Sequence, residues 1–322
     1  MTDDVLIEAR DLTKLHHTAG GVVRAVDGID LSIRRGETLG LVGESGCGKS
    51  TLGRTLIRLH EPDEGSIRYG ERDIAHLNRK ELRPLRGDLQ MVFQDPFASL
   101  NPRRSIRQIL TEPFSVHGIG TRKERRQIVD DLIEKVGLHS DFAERYPHEI
   151  SGGQRQRIAI ARAIALDPNV VVCDEPVSAL DVSVQAQIIN LMRRLQTSSG
   201  AAYLFISHDL SVIGYMADRI AVMYLGEIVE DAPKAALWKE PLHPYTQALF
   251  SAIAQPDPPS VPRRKRVPIE GDIPSAINPP SGCRFRSRCP FAMPICAEQK
   301  PALKEPAGRA GTRVSCHLVN SP

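Results

Sequence analysis

Residues 43–51 read Gly-Glu-Ser-Gly-Cys-Gly-Lys-Ser-Thr. Glycines at this spacing let the backbone curl until several N–H groups face one point. A helix that opens as the loop ends adds the positive end of its dipole. Lys49 after the last glycine can reach terminal phosphates as a point charge, and the Ser50 hydroxyl can serve Mg²⁺. The chemistry this suits is binding of a nucleoside triphosphate such as ATP. Gly43, Glu44, Ser45, Gly46, Cys47, Gly48, Lys49, Ser50 and Thr51 are its candidate cradle. Cys47 reads as a small residue tolerated in the loop and not as a reactive thiol. Far downstream, Val170 to Glu175 read V-V-V-C-D-E, an apolar strand ending in two carboxylates. Asp174 suits Mg²⁺, directly or through water, and Glu175 suits the general base that polarises an attacking water. A strand ending in two carboxylates is a weak signal alone; paired with the loop it points to hydrolysis of the bound triphosphate.

A second group of residues could do different chemistry. Four cysteines are spaced Cys283-x5-Cys289-x6-Cys296-x19-Cys316, with His317 next. The paired C-x2-C knuckles of structural zinc are missing. Four thiolates without neighbouring carboxylates suit an Fe–S cluster or zinc. Free thiols, or disulfides in one of three connectivities, are the structural alternatives. A reducing compartment favours metal over disulfides. Cys47 and Cys173 lie apart, inside Gly-rich or apolar motifs.

The elements that must position these groups follow from periodicity. Thr38 to Val42 is a short apolar strand ahead of the loop, and a helix is expected from Lys49 to about Leu59. Before it, Val5–Glu8, Val22–Val26 and Ile29–Ile33 read as strands, with turns at Gly20-Gly21 and Arg35-Gly36. Gly65–Tyr69 and Leu89–Phe93 read as further strands. Residues 102–166 are mostly helical in pattern, including 122–136 and 154–165. Strand and helix then alternate at 170–173, 182–196, 202–206, 210–216 and 220–224. A strand is expected at 228–230 and a closing helix at 243–254. This is an α/β domain over residues 1–254 with an inserted helical subdomain at about 95–166. From Gln255 the composition changes: the last 68 residues hold 13 of the 24 prolines, so 255–322 reads as an irregular cysteine-containing appendage. The Arg263–Arg266 run inside it reads as a solvated linker. The formal charge of +3 on 322 residues is too small to imply a nucleic-acid partner. The acidic start leads into no apolar run, so no signal peptide is expected. No stretch approaches the roughly 20 apolar residues of a membrane span. A membrane role must then come through a partner.

Five motifs in order give a resemblance. Ser151-Gly152-Gly153-Gln154, after Ile150, is similar to the signature motif of ABC ATPases, which usually opens with Leu. Ser178-Ala179-Leu180-Asp181 resembles their D-loop, His208 their switch histidine and Gln94 their Q-loop glutamine. With the phosphate loop and the D-E pair, this implies a P-loop ABC ATPase core with an antiparallel β subdomain. The runs Val92–Arg103, Val177–Gln185, His243–Leu249 and Asn278–Phe285 further resemble the ATPase subunits of oligopeptide and dipeptide importers, over nearly the whole chain and tail. The forms at Ser45–Arg54 and Val177–Asp181 are closer to the "F" sibling of the two ATPases. Where the family often stacks a Tyr on adenine, this chain has Lys14-Leu15-His16-His17. His16 matches by register; a histidine without nucleotide contact reads equally well.

What the resemblance implies is an ATPase that powers peptide import. It works with two transmembrane permease subunits, a sibling ABC ATPase (or a second copy) and, indirectly, an extracytoplasmic binding protein. It sits peripherally on the cytoplasmic face of the membrane. Ser151 to Gln154 would meet ATP held by the facing subunit. Gln94 would sense Mg²⁺ and water and tie hydrolysis to the helical block. His208 would touch the terminal phosphate. The resemblance also implies a [4Fe-4S] cluster on Cys283, Cys289, Cys296 and Cys316, with zinc as the alternative. Other cargo, such as nickel, sugars or glutathione, has similar ATPases; a soluble ABC ATPase of nucleic acid or ribosome fits less well, because one motif set and a compact helical block are present. The ATP site is expected to be built from residues before Asp209, and so to be indifferent to the tail.

Overall fold

The computed structural model describes residues 4–252, 269 and 271–320. The chain start, the junction expected at 254/255, the Pro256–Pro259 run and the basic run Arg263–Arg266 lie outside the described residues. In chain order, a turn at Ala19-Gly20 joins two long strands, β1 (Val5–Thr18) and β2 (Gly21–Arg34). The two short strands expected at 22–26 and 29–33 are one. Gly28 between them adopts φ 64 and donates its N–H to Thr13 Oγ1 (3.1 Å), so the strand kinks and continues. Fully buried β3 (Thr38–Val42) feeds the glycine loop and α1 (Lys49–Leu56). Then come β4 (Glu64–Tyr69), β5 (Arg72–Asp73), α2 (Arg79–Leu82) and β6 (Leu89–Val92). The helical block holds α3 (Pro96–Ser99), α4 (Ile106–Val116), α5 (Arg122–Lys135) and α6 (Gly152–Ile164). Alternation resumes with β7 (Val170–Asp174), α7 (Val182–Ser199), β8 (Ala202–Ile206), α8 (Leu210–Met216), β9 (Arg219–Tyr224) and β10 (Glu227–Pro233). It closes with α9 (Lys234–Lys239), α10 (Pro244–Ser251), α11 (Ile295–Glu298), β11 (Arg313–Val314) and α12 (His317–Asn320).

The chain forms two compact units. The first comprises Met1–Leu6, Ile33–Glu37 and Leu77–Ile206. In it β6, β7 and β8 pair in parallel, Leu89 opposite Val170 and Val170 opposite Ala202. Strands buried on both faces need continuous apolar runs, which V-V-V-C and A-Y-L-F-I supply. Helices α4, α5 and α6 start on capping boxes, Ser105 with Gln108, Thr121 with Glu124 and Ser151 with Gln154. Ile109, Leu110, Phe114, Val129 and Ile133 recur at helical spacing and are buried.

The second unit comprises Ile7–Ser32, Thr38–His76 and Ser207–Pro322. It holds the antiparallel sheet β2-β1-β4-β5, and the strands ordered β11-β10-β9-β3, in which β3 runs parallel to β9. β11 belongs to the tail. Asp231 stands opposite Arg313 and Glu230 opposite Val314, so the tail extends a sheet where an irregular appendage was expected. A buried charge cluster fastens it. Arg219 Nη1 donates to both Asp231 oxygens (2.7 and 2.8 Å), Arg313 Nη2 donates to Asp231 Oδ2 (2.5 Å), and Arg219 Nη2 donates to the Ser32 carbonyl. The Asp231 side chain is 3% exposed, so its removal strands the buried Arg219 guanidinium without water to replace it, while the part-exposed Arg313 loses its anchor. Asp231→Ala is expected to destabilise the chain by about 3–5 kcal/mol in denaturant unfolding and to open the segment after Glu298 to protease. Equal stability and equal proteolysis would show that the pair does not hold the tail.

Candidate functional site

Between β3 and α1 the backbone of Gly43, Gly46 and Gly48 takes φ values of 155, 78 and 108. A Cβ on Gly43 would lie 2.1 Å from the Met223 carbonyl oxygen, and one on Gly48 would lie 1.9 Å from that of Ala25. Only bare backbone fits at either place. Lys49 is buried, and its Nζ donates to the carbonyls of Gly43 (2.8 Å) and Glu44 (3.0 Å), inside the curl of the loop. Burial pushes the Cys47 thiol above its ordinary value, as an inert thiol requires. His16 Nε2 lies 3.4 Å from Thr51 Oγ1, and its ring meets His60 edge-on at 5.9 Å. His16 therefore borders the first turn of α1.

In the first unit, the buried strand β7 delivers Asp174 fully covered and Glu175 half-buried. Glu175 has φ 45, an uncommon conformation for a residue with a Cβ. Its N–H donates to the Ile206 carbonyl (3.0 Å), while its own carbonyl accepts from the N–H and hydroxyl of Ser178 (3.3 and 3.1 Å). These bonds fix the turn that presents the carboxylate, which accepts from Gln94 Nε2 at 3.2 Å. Two of the candidate residues, 81 positions apart, thus meet. Ser151 is exposed at the start of α6, where its hydroxyl accepts from the Gln154 N–H (3.4 Å) and Gln154 Oε1 accepts from the Ser151 N–H (2.9 Å). A Cβ on Gly153 would stand 2.6 Å from Val184 Cγ1, so this glycine also serves the packing of α6 on α7. Asp181 caps α7, and the Ser183 hydroxyl at 2.6 Å, with the Val184 N–H, holds its carboxyl below the usual range. His208, in the second unit, is exposed just after β8.

Other contacts escaped the sequence. The Glu44 N–H donates to the Tyr245 hydroxyl (2.9 Å), and the Gly226 N–H donates to the Cys47 carbonyl (2.9 Å). Arg288 donates from Nη1 and Nη2 to the two Glu44 oxygens (2.8 and 3.0 Å). The phosphate loop is therefore not built only from residues before Asp209; the tail and the H-P-Y-T segment hold it. His243 caps α10, its Nδ1 accepting from the Tyr245 N–H (3.1 Å), and Glu230 accepts the N–H groups of Leu242 and His243 (2.8 and 2.9 Å). The H-P-Y-T run marks this segment in the sequence, but nothing local indicates that Tyr245 reaches a loop 201 residues earlier.

Cys283, Cys289, Cys296 and Cys316 line one narrow cavity with Phe285 and Phe291. Cys283 N–H donates to the Cys296 carbonyl (2.8 Å), and Gly282, at φ 64, could carry no Cβ because the Cys296 carbonyl oxygen would be 2.4 Å away. Burial pushes Cys283 up to about 12 and raises Cys289 and Cys316. Cys47 and Cys173 are buried elsewhere. Among the described residues, no three His, Cys, Asp or Glu side chains form a ligand set for a single metal ion, and no helix is long and apolar enough to cross a membrane.

Residues 26–178 match the ABC transporter family, and residues 229–296 match the C-terminal region of oligopeptide/dipeptide transporters. The chain is 55% identical, over 98% of its length and 96% of the relative's, to YkfD of Bacillus subtilis, named for oligopeptide transport ATP binding. It is 52% identical to the oligopeptide transport ATP-binding protein AppF of the same organism, over 98% of each chain. Among solved structures it resembles the ATP-binding cassette MJ0796, determined as a dimer in a post-hydrolysis state with ADP and Pi. The TM-score is 0.65 at 28% identity, over 71% of this chain and 98% of that one.

The support under the loop carries a pH dependence. Complete burial lowers His243 to about 3, from an ordinary value near 6.5. The folded chain then keeps His243 neutral where the unfolded chain takes up a proton. Stability from this group is full above pH 6.5 and is lost as pH falls toward 3. His243→Asn, which keeps a side-chain acceptor, is expected to flatten the fall in unfolding free energy between pH 7 and pH 5 by roughly 2 kcal/mol. Identical pH slopes for the two proteins would place the proton uptake on other groups.

Proposed function

Because the chain belongs to the ABC transporter family of ATPases, on its oligopeptide/dipeptide branch, we propose that it is the ATP-hydrolysing subunit that powers import of di- and oligopeptides. The observation that carries this is near-full-length identity above half to proteins named for oligopeptide transport ATP binding, tail region included. In this reading the backbone N–H groups of residues 43–51 and Lys49 bind the phosphates of ATP, with His16 beside the base. Lys49 exchanges the carbonyls of Gly43 and Glu44 for a phosphate. Ser50, Asp174 and Gln94 would hold Mg²⁺, which would supply charge neutralisation at the terminal phosphate. Glu175 orients water as general base, and its 3.2 Å bond to Gln94 supports the pairing of base and sensor. His208 contacts the terminal phosphate. The 13-residue helix α6 offers Ser151, Gly152 and Gly153 at its N-terminus to ATP on a facing subunit. Closure on ATP and release after hydrolysis then shift a two-state equilibrium.

The partners in this reading are two membrane permeases and a sibling ATPase, with an extracytoplasmic binding protein reached through the permeases. The chain sits on the cytoplasmic face. A cleft of about 1030 Å³ on α4 and α5 supports permease docking; it is walled by Arg103, Arg104, Arg107, Arg122, Arg125 and Arg126. Arg107 is paired with Asp130 (2.9 Å) and Glu144 (2.6 Å) and Arg104 with Glu112 (2.7 Å), but the lining keeps an excess of arginine, so an acidic loop is the complementary occupant. Four thiols on one cavity wall, without carboxylates, fit a [4Fe-4S] cluster held by Cys283, Cys289, Cys296 and Cys316, with zinc as the alternative. A bound cation would lower thiol values that burial now raises.

Glu175→Gln is expected to retain ATP binding, to lower turnover of the assembled transporter by about 100-fold or more and to accumulate an ATP-bound dimer. Near-normal turnover would remove Glu175 as base. Anaerobically purified chain is expected to be brown, with iron and sulfide near four each, as a [4Fe-4S] site requires. Serine at any tail cysteine is expected to bleach the colour while Cys173→Ser does not; stoichiometric zinc without iron would replace the cluster by the alternative.

A further inference from the structure

The segment 283–289 faces two ways. Cys283 and Cys289 line the cysteine cavity, while Arg284, Phe285 and Arg288 between them reach the phosphate loop and the turn beneath it. Arg284 donates to the Leu225 carbonyl and to Asp27, and its Nε lies 2.9 Å from Glu227. Leu225 precedes Gly226, whose N–H donates to the Cys47 carbonyl in the loop (2.9 Å). Phe285 is buried against Tyr224 and Tyr245, with centroids at 5.3 and 5.5 Å. Arg288 lies over the Tyr224 ring and grips Glu44 with both terminal nitrogens; its side chain is 8% exposed. A bidentate arginine–carboxylate pair fixes direction as well as distance. Glu44, the second residue of the loop, is thus held at its side chain by Arg288 and at its N–H by Tyr245.

Nucleotide feels this hold because Lys49 is bonded to the Gly43 and Glu44 carbonyls. When a phosphate takes the lysine, those bonds are given up, and the curl must be kept by something outside it. We propose that Arg288 is a positioning residue that couples the cysteine-lined segment to the phosphate loop through Glu44, so that order in that segment sets ATP affinity. Binding free energies are reciprocal, so bound ATP in turn tightens residues 283–289. The inference rests on the loop being the ATP site.

The test uses the full chain, Mg²⁺ and a fluorescent ATP analogue. Arg288→Ala is expected to raise the Kd about tenfold, within the usual range for coupled sites. Arg288→Lys, which keeps the charge but loses the fork, is expected to fall between. Glu44→Ala is expected to match Arg288→Ala, and the double variant to add nothing to either. Glu44→Gln keeps one accepting oxygen for Arg288 but loses the charge and the second bond, and guards against a folding defect; about threefold weakening is expected. A purely structural role would not move the second readout: ATP is expected to slow amide exchange in 283–289 in the natural chain but not in Arg288→Ala. An unchanged Kd, fully additive single effects, or ATP-independent exchange in the natural chain overturns the coupling. Failure of the natural chain to bind the analogue instead overturns the ATP reading of the loop, and the coupling with it.

Discussion

The close approach of bare backbone at Gly43 and Gly48 sets the terms for the second unit. With the Met223 and Ala25 carbonyls where a Cβ would stand, the loop curls only while β9 and β2 hold those carbonyls in place. Each neighbour that steadies these strands therefore acts on the loop. Gly226, following β9, donates to the Cys47 carbonyl, and Tyr245, two residues after the buried cap His243, accepts the Glu44 N–H at its hydroxyl. The loop's conformation is a property of the unit and not of its nine residues alone.

Buried charge does the fastening in this unit. Asp231 gathers Arg219 and Arg313, Glu227 faces Arg284 and Lys300, and Glu44 faces Arg288. Such pairs add little net stability over apolar packing, but they are costly to break singly and they specify geometry. A tail with four thiols and many prolines has little apolar surface with which to find its place. Arginine forks give it direction, and Phe285 among Tyr224 and Tyr245 gives it an anchor.

The first unit is organised differently. Helices α2, α4, α5 and α6 begin on capping boxes, and β7 and β8 are apolar runs, so local preference and packing agree over much of the unit. Asp167 and Glu175 depart from this with left-handed backbones, and that of Glu175 is held by Ser178 and the Ile206 carbonyl. Strain at that residue aims a carboxylate off the end of a buried strand, toward the Gln94 amide. Apart from buried Asp174, a large share of the unit's charge lies at the surface, including the arginine-walled cleft on α4 and α5.

Whatever rests on neighbours in the chain was legible in the residues themselves. The glycine spacing of 43–48, the apolar strand running into Asp174 and Glu175, and β8 and α8 at 202–206 and 210–216 all follow from local chemistry and periodicity. The order of these motifs was enough for the family. Tertiary structure decided what has no period and no neighbour. β11 is two residues long, too short to alternate, and exists because Arg313 finds Asp231 82 residues away. β2 runs through Gly28 because Thr13 on another strand takes its N–H. Gln94 meets Glu175, and Arg288 meets Glu44 across 244 residues, since an ion pair is specified by position in space while the sequence carries only the two charges.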